Sequence, residues 1–302
     1  MFDMLTSKRV HFIWLLIVAF LLSACSNQPT AVVENPAQTE TEASPTLDEP
    51  TPTPMPAAAI VNGERISLSW YENEIERYLI AQEAMGQPVE DESAARETVM
   101  NDLIEQVLLA QGAKEAGISV SDEDVQARID ALAAEYDLAV WMEEWGYTDE
   151  DLFISMRLQI LAASQRDLIV ESVPESVEQV QLQQIFTYAE ADAVSALVSL
   201  NSGADFNELA FSDYYDSTTG GYLGWVPRGY LLYPAVEETA FSIPVGSYSD
   251  VIETEAGYHI ILVIAREEHP LSSDALLVLQ RAAVVEWVAE RWENSVIEIL
   301  VE

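Results

Sequence analysis

Ten residues, GGYLGWVPRG at 220–229, hold four of the chain's 12 glycines beside a tryptophan and a proline. Glycine reaches positive φ without steric cost and lets two backbones meet where a Cβ would intervene. In a 302-residue chain so poor in glycine elsewhere, the cluster concentrates backbone freedom in one place, and by itself it reads as a hairpin glycine cluster with a packed tryptophan.

The flanks of this stretch read as a small α+β domain. Pro174 ends a helix, and Val180 to Thr187 is a strand. Ala193, Leu197 and Leu200 lie on one side of a helix from Ala189, and Phe206, Leu209 and Ala210 mark a second, shorter one. After the cluster come a helix over 233–241, a turn at Pro244 to Gly246, and strands at 249–253 and 258–265.

The preceding region is helical. A short strand from Ile60 turns at Asn62-Gly63. Ser69 with Glu72 forms a capping box for a helix whose stripe is Tyr71, Ile75, Tyr78 and Leu79. Further helices carry Val99, Leu103, Val107 and Ala110, then Val125, Ile129 and Leu132, the latter opened by Ser121 with Asp124. Thr148 with Asp151 opens the last, which runs to about Val170. Trp141 and Trp145 are packing anchors at a helix junction. These helices hold no metal-ligand spacing, phosphate loop or nucleophile elbow.

At the N-terminus, Lys8 and Arg9 precede an apolar run from His11 to Leu22 that is too short for an ordinary membrane span and suits a secretory signal. Leu22-Ser-Ala-Cys25 resembles the lipobox of bacterial lipoproteins, which implies a signal peptide at 1–24 and a lipidated Cys25. Cys25 is the only cysteine, so no internal disulfide is available. Residues 26–58 carry seven of the 13 prolines and no Lys or Arg. Such a composition cannot bury a core and reads as a tether, reaching up to about 100 Å at the rise of proline-rich chain. The net charge of −39 makes nucleic acid an improbable partner and argues for solubility rather than an acidic site. The two histidines beyond the signal, His259 and His269, cannot make a multi-histidine metal site.

GADF at 203, FSD at 211, GGYLGW at 220, PRG at 227, AFSIPVG at 240 and TEAGYHII at 254, in that order, resemble a parvulin-type peptidyl-prolyl isomerase domain. VNGE and the helices after it are similar to the N-terminal domain of extracytoplasmic foldases of the SurA and PrsA type. The resemblance implies an α+β protein in which a helical chaperone domain at 59–173 is completed by a C-terminal helix at 271–302, with Trp287 packing on it. A parvulin, FKBP-like α+β domain is inserted at 174–270.

The resemblance also implies site positions. His259 matches a family histidine, Thr254 a neighbouring hydroxyl and Leu223 a pocket leucine. Leu231 or Leu232 stands for a methionine, and Val236 replaces a phenylalanine. Gln184 stands where the family has its other histidine, Tyr214 where it has Cys or Asp, and Ala256 where it has Ser. By the same analogy Gly220 and Gly221 take positive φ in a turn, Gly224 permits close backbone approach beside the substrate groove, and Leu223 and Trp225 alternate faces, Leu223 toward the prolyl pocket and Trp225 in the core. His269, beyond the last strand, reads as a surface residue.

Together these readings describe a lipid-anchored protein on the extracytoplasmic face of a cell membrane. It binds unfolded or nascent secreted proteins and isomerises X-Pro bonds weakly, with no cofactor and no metal. The alternative is a holdase whose isomerase site is degraded. A solute-binding lipoprotein is disfavoured, because two α/β lobes are missing.

Overall fold

The computed structural model describes residues 56–211 and 218–301. Cys25 and Tyr214 lie outside the described residues. The chain divides into two compact units, 1–165 with 291–302 and 166–290.

In the first unit, strands β1 (Ala57–Val61) and β2 (Glu64–Ser67) form an antiparallel hairpin. Its turn has positive φ at both central residues, Asn62 (51°) and Gly63 (85°), as a tight Asn-Gly hairpin requires. Five helices follow: α1 (Leu68–Ala84), α2 (Glu92–Glu115), α3 (Asp122–Glu135), α4 (Leu138–Glu144) and α5 (Asp149–Ser172), the last continuing past the unit boundary. Ser121 and Asp124 cap α3 reciprocally, and Thr148 and Asp151 do the same for α5. At α1 the cap is Ser67 rather than Ser69. Ser67 ends β2 paired with Ala57, and its hydroxyl accepts from the Trp70 N–H at 3.2 Å.

The core of this unit gathers Ile66, Tyr71 and Ile75 with Val99, Leu103, Ile104 and Leu108. A smaller cluster around Val125, Leu152 and Met156 takes Trp141, which stacks on Tyr147 at 5.0 Å. Buried Arg77 holds the loop after α4, donating to the carbonyls of Trp145 (3.1 Å) and Gly146 (3.0 Å) and to Glu74 (2.8 Å). Its guanidinium lies 3.5 Å from the Tyr147 ring centre. Burial pushes the Tyr147 phenol up to about 12, and the charge of Glu74 adds to the shift.

Strand β7 (Ile297–Ile299) pairs with β1, giving a sheet of order β2-β1-β7. Trp292, Ile297 and Val301 pack on the core, so β7 and Trp292 carry the C-terminal return there. The preceding helix α9 (Ser273–Glu293) groups with the second unit as far as Glu290. Its start is held there by Tyr230, whose hydroxyl donates to Asp274 at 2.6 Å, and by Leu271 N–H on Glu175 O at 2.8 Å.

In the second unit, β3 (Ser176–Thr187), β4 (Tyr222–Pro227), β5 (Ile252–Thr254) and β6 (Gly257–Pro270) form an antiparallel sheet of order β4-β3-β6-β5. Helices α6 (Glu190–Asn201) and α7 (Phe206–Ala210) contribute to a core with Ile185 and Ile260. Helix α8 (Pro234–Ser242) joins the core on the other sheet face, with Val180, Leu182, Val226, Ile261 and Val263. The strand expected from 249 starts only at Ile252. Ser249 meets Ile261 with one backbone bond and one side-chain bond: its N–H donates to Ile261 O at 2.9 Å, and its hydroxyl accepts from Ile261 N–H at 3.1 Å.

Candidate functional site

Strand alternation puts Gln184 and Phe186 of β3 on one sheet face. Register then sets Phe186 opposite His259 and Gln184 opposite Ile261. His259 is 5% exposed. Its Nδ1 lies 3.1 Å from Gln184 Oε1 and its Nε2 2.9 Å from Thr254 Oγ1. The Thr254 hydroxyl also reaches Gly257 O at 3.1 Å. Burial pulls the imidazole below its usual pKa, so it is neutral at pH 7, with one ring nitrogen donating and the other accepting.

Thr254 has one proton to give. If it goes to Gly257 O, Nε2–H donates to Oγ1 and the Gln184 amide turns its NH₂ toward Nδ1. If it goes to Nε2, Nδ1–H donates to Gln184 Oε1. Either tautomer is satisfied, because a glutamine amide can present its donor or its acceptor end.

Two rings flank the imidazole: Phe186 at 4.9 Å and Tyr233, the residue before α8, at 5.6 Å. Sequence reading passed over both. Phe186 was findable as the residue two beyond Gln184, on the same strand face. Tyr233 carries no comparable signal, since the loop before α8 decides where its ring falls.

The glycine cluster does a different job at each position. Register runs from Leu182 opposite Gly224 to Gln183 opposite Tyr222, so Leu223 is the extra residue of a β-bulge. Leu223 is 37% exposed. Close backbone approach occurs at Gly221, not Gly224: the Gly221 carbonyl accepts from Gln184 N–H at 2.8 Å, and a Cβ on Gly221 would run into the Gln184 carbonyl. Gly224 requires glycine for its φ of +78°, with only Tyr222 at the edge of contact. The cluster thus clamps the backbone of Gln184, the residue that pairs with His259.

The remaining site positions separate. Leu231 packs against the core beside α8, whereas Leu232 is 81% exposed. Val236 is in the core at 3% exposure, beneath the surface rather than on it. Ala256 is half-buried in the β5–β6 turn. Trp225, expected in the core, is half-buried and stacks on His269 at 4.4 Å, so His269 is a packing partner rather than a bare surface residue. That stack was unreadable because β4 and the far end of β6 are distant in sequence. Among the described residues no group of three or more His, Cys, Asp or Glu could hold a metal, and no helix is long and apolar enough to cross a membrane.

His259 is thus a buried, neutral histidine hydrogen-bonded on both sides, set in the antiparallel sheet of an α+β unit. Residues 171–265 match the family model described as the PPIC-type PPIASE domain. Residues 53–155 match that of the SurA-like N-terminal domain, and the chain joins one domain of each kind.

The foldase protein PrsA of Caldanaerobacter subterraneus subsp. tengcongensis is 29% identical over 228 residues, which are 67% of this chain and 71% of the relative. The chaperone SurA of Alcanivorax borkumensis is 25% identical over 69% of this chain, a match that spans only 56% of that relative. A crystal structure of the peptidylprolyl isomerase PrsA from Bacillus cereus overlaps 79% of this chain and 86% of its own, at 18% identity and a TM-score of 0.43.

Proposed function

We propose that this protein is a membrane-anchored, extracytoplasmic foldase that binds unfolded secreted chains and isomerises their X-Pro bonds at a modest rate. The observation that carries the reading is the bridge from Gln184 through His259 to Thr254 beside the Leu223 bulge. Isomerisation breaks no bond. Its barrier of about 18–20 kcal/mol is the lost amide resonance, so a catalyst need only hold the twisted amide better than the planar one. An apolar wall for the ring, supplied by Leu223 and Leu231, and oriented hydrogen-bonding groups at His259 and Thr254 meet that need without a cofactor. Tyr214 is proposed to complete the polar edge and Val236 to support the wall from below.

The modest rate is attributed to Gln184. An amide accepts either tautomer of His259 and so orients the ring less firmly than a partner with one fixed role. The same feature favours a second reading, a holdase whose isomerase site has decayed. A stopped-flow isomerase assay on proline peptides, run beside an aggregation-suppression assay, separates them: suppression without catalysis above the spontaneous rate selects the holdase.

Anchoring is assigned to Cys25. A fatty-acid analogue fed to cells should label the wild type and spare Cys25→Ser, and equal labelling would remove the anchor from the proposal.

A further inference from the structure

The aromatic contacts beside His259 continue outward past the isomerase site. Phe186 touches His259 on one side and, edge to face, Tyr188 on the other at 5.0 Å. Tyr188 follows Phe186 by two residues, and it is 86% exposed. A large ring held against a strand residue yet open to solvent is anchored but unoccupied by the fold. It stands no more than about 10 Å from the imidazole, the reach of about three residues of extended chain.

The charge around this ring is one-sided. Glu190 follows it by two residues, and Glu253 and Glu255 flank Thr254. Glu253 foremost, then burial, then Glu190 hold the phenol of Tyr258, opposite Thr187 in register, above its usual pKa. The only Lys or Arg side chains from 166 to 290 are Arg166, Arg228, Arg266 and Arg281. Arg228 lies over the Phe241 ring at 4.0 Å, and Arg266 donates to the carbonyls of Ala240 and Ile243 at 3.0 and 2.8 Å. An exposed phenol face in a field of carboxylates attracts a cation, through the ring quadrupole at contact and through the summed charge at a distance.

We propose that Tyr188 is a specificity residue of this site and seats a lysine or arginine side chain two or three residues from the isomerised proline. The inference rests on the isomerase reading. It narrows the substrates to cation-bearing X-Pro segments and disfavours acidic ones.

The test uses the full chain and proline peptides that differ only in one residue, lysine, norleucine or glutamate, placed two or three positions from the proline on either side. Norleucine keeps the apolar stem of lysine without its charge. At low salt, kcat/KM should rank lysine above norleucine above glutamate, with lysine ahead of norleucine by about threefold. The lysine-to-glutamate ratio should shrink at high salt.

Tyr188→Leu should bring kcat/KM for the lysine peptide down to that for the norleucine peptide, while Tyr188→Phe should keep the lysine advantage. Glu190→Gln with Glu253→Gln should flatten the salt dependence. Equal turnover of lysine and glutamate peptides at low salt would overturn the proposal, as would a Tyr188→Leu variant that slows every peptide alike. If no peptide is isomerised above the spontaneous rate, the isomerase reading fails. The same ranking is then read from peptide affinities measured by calorimetry, where an absent lysine preference overturns the specificity as well.

Discussion

His259 Nδ1 and Gln184 Oε1 meet at 3.1 Å across neighbouring strands, although in register His259 faces Phe186 and Gln184 faces Ile261. The contact is diagonal, so it depends on the Gln184 side chain lying along the sheet toward the imidazole. Replacing it with leucine leaves a buried ring nitrogen without a partner, a loss of about 1–3 kcal/mol. Gln184→Leu should therefore lower kcat/KM for a proline peptide by about fivefold or more. Gln184→His, which can share a proton with His259, should raise it. Stopped-flow isomerisation decides, and unchanged rates in both variants would detach Gln184 from the reaction.

Leu223 and Leu231 are proposed as the wall for the proline ring, and Leu223 is the easier to probe, since truncating a bulged, part-exposed side chain spares the core. Leu223→Ala should raise KM and lower kcat/KM while the melting temperature stays within a few degrees of the wild type, as is usual for surface substitutions. A large fall in melting temperature would make Leu223 a folding residue instead.

The buried imidazole also makes stability depend on pH. The folded His259 holds its proton less tightly than the unfolded one, whose pKa is near 6.5, so folding disfavours the charged form. The contribution is whole above pH 6.5 and is lost as pH falls through the lowered folded value. Because the chain has 52 carboxylates, the wild-type profile alone mixes many titrations. The informative quantity is the melting-temperature difference between wild type and His259→Gln, which should be flat from pH 8 to 7 and shift against the wild type below about 6. A difference independent of pH would mean that the ring titrates alike in both states.

What the sequence revealed, and what it hid, divides by distance along the chain. The Asn62-Gly63 turn and the Ser121 and Thr148 caps are local devices, and each is visible within four residues. The choice of Ser67 over Ser69 was hidden, because pairing of Ser67 with Ala57 settles where β2 stops and α1 begins. His259, Gln184 and Thr254 were legible only through motif resemblance. Phe186, Tyr233 and the stack of Trp225 on His269 are set by register and packing between segments far apart in sequence.

The glycines offer a sharp comparison. At Gly221 an added Cβ meets the Gln184 carbonyl, which is backbone and cannot move without breaking the strand. At Gly224 the space is nearly open and only the left-handed φ resists. Gly224→Ala should cost about 1–2 kcal/mol, the ordinary penalty of that conformation. Gly221→Ala should cost clearly more and abolish isomerase activity by displacing Gln184. Comparable denaturation midpoints for the two variants would show that the strand yields more readily than its hydrogen bonds suggest.

Asn62 ties the two ends of the first unit together. Its backbone N–H donates to Val296 O at 2.8 Å, and its side-chain oxygen accepts from Val296 N–H at 2.9 Å. Its side-chain nitrogen donates to Gln111 at 2.9 Å and Ser295 at 3.1 Å, while its own φ is 51°. Alanine there would lose the side-chain bonds and keep the strained backbone, at about 2–3 kcal/mol in all. Glycine would relieve the backbone and still lose the bonds, so the Ala-to-Gly difference isolates conformation from bonding. Hydrogen exchange reads the result where it matters. The Leu300 amide, which donates to Ala58 O at 2.8 Å, should exchange much faster in Asn62→Ala and at an intermediate rate in Asn62→Gly, while amides of β3 and β6 hold their protection. If the Leu300 amide exchanges at the wild-type rate in both variants, β7 is held by its apolar side chains and Asn62 is only a turn residue.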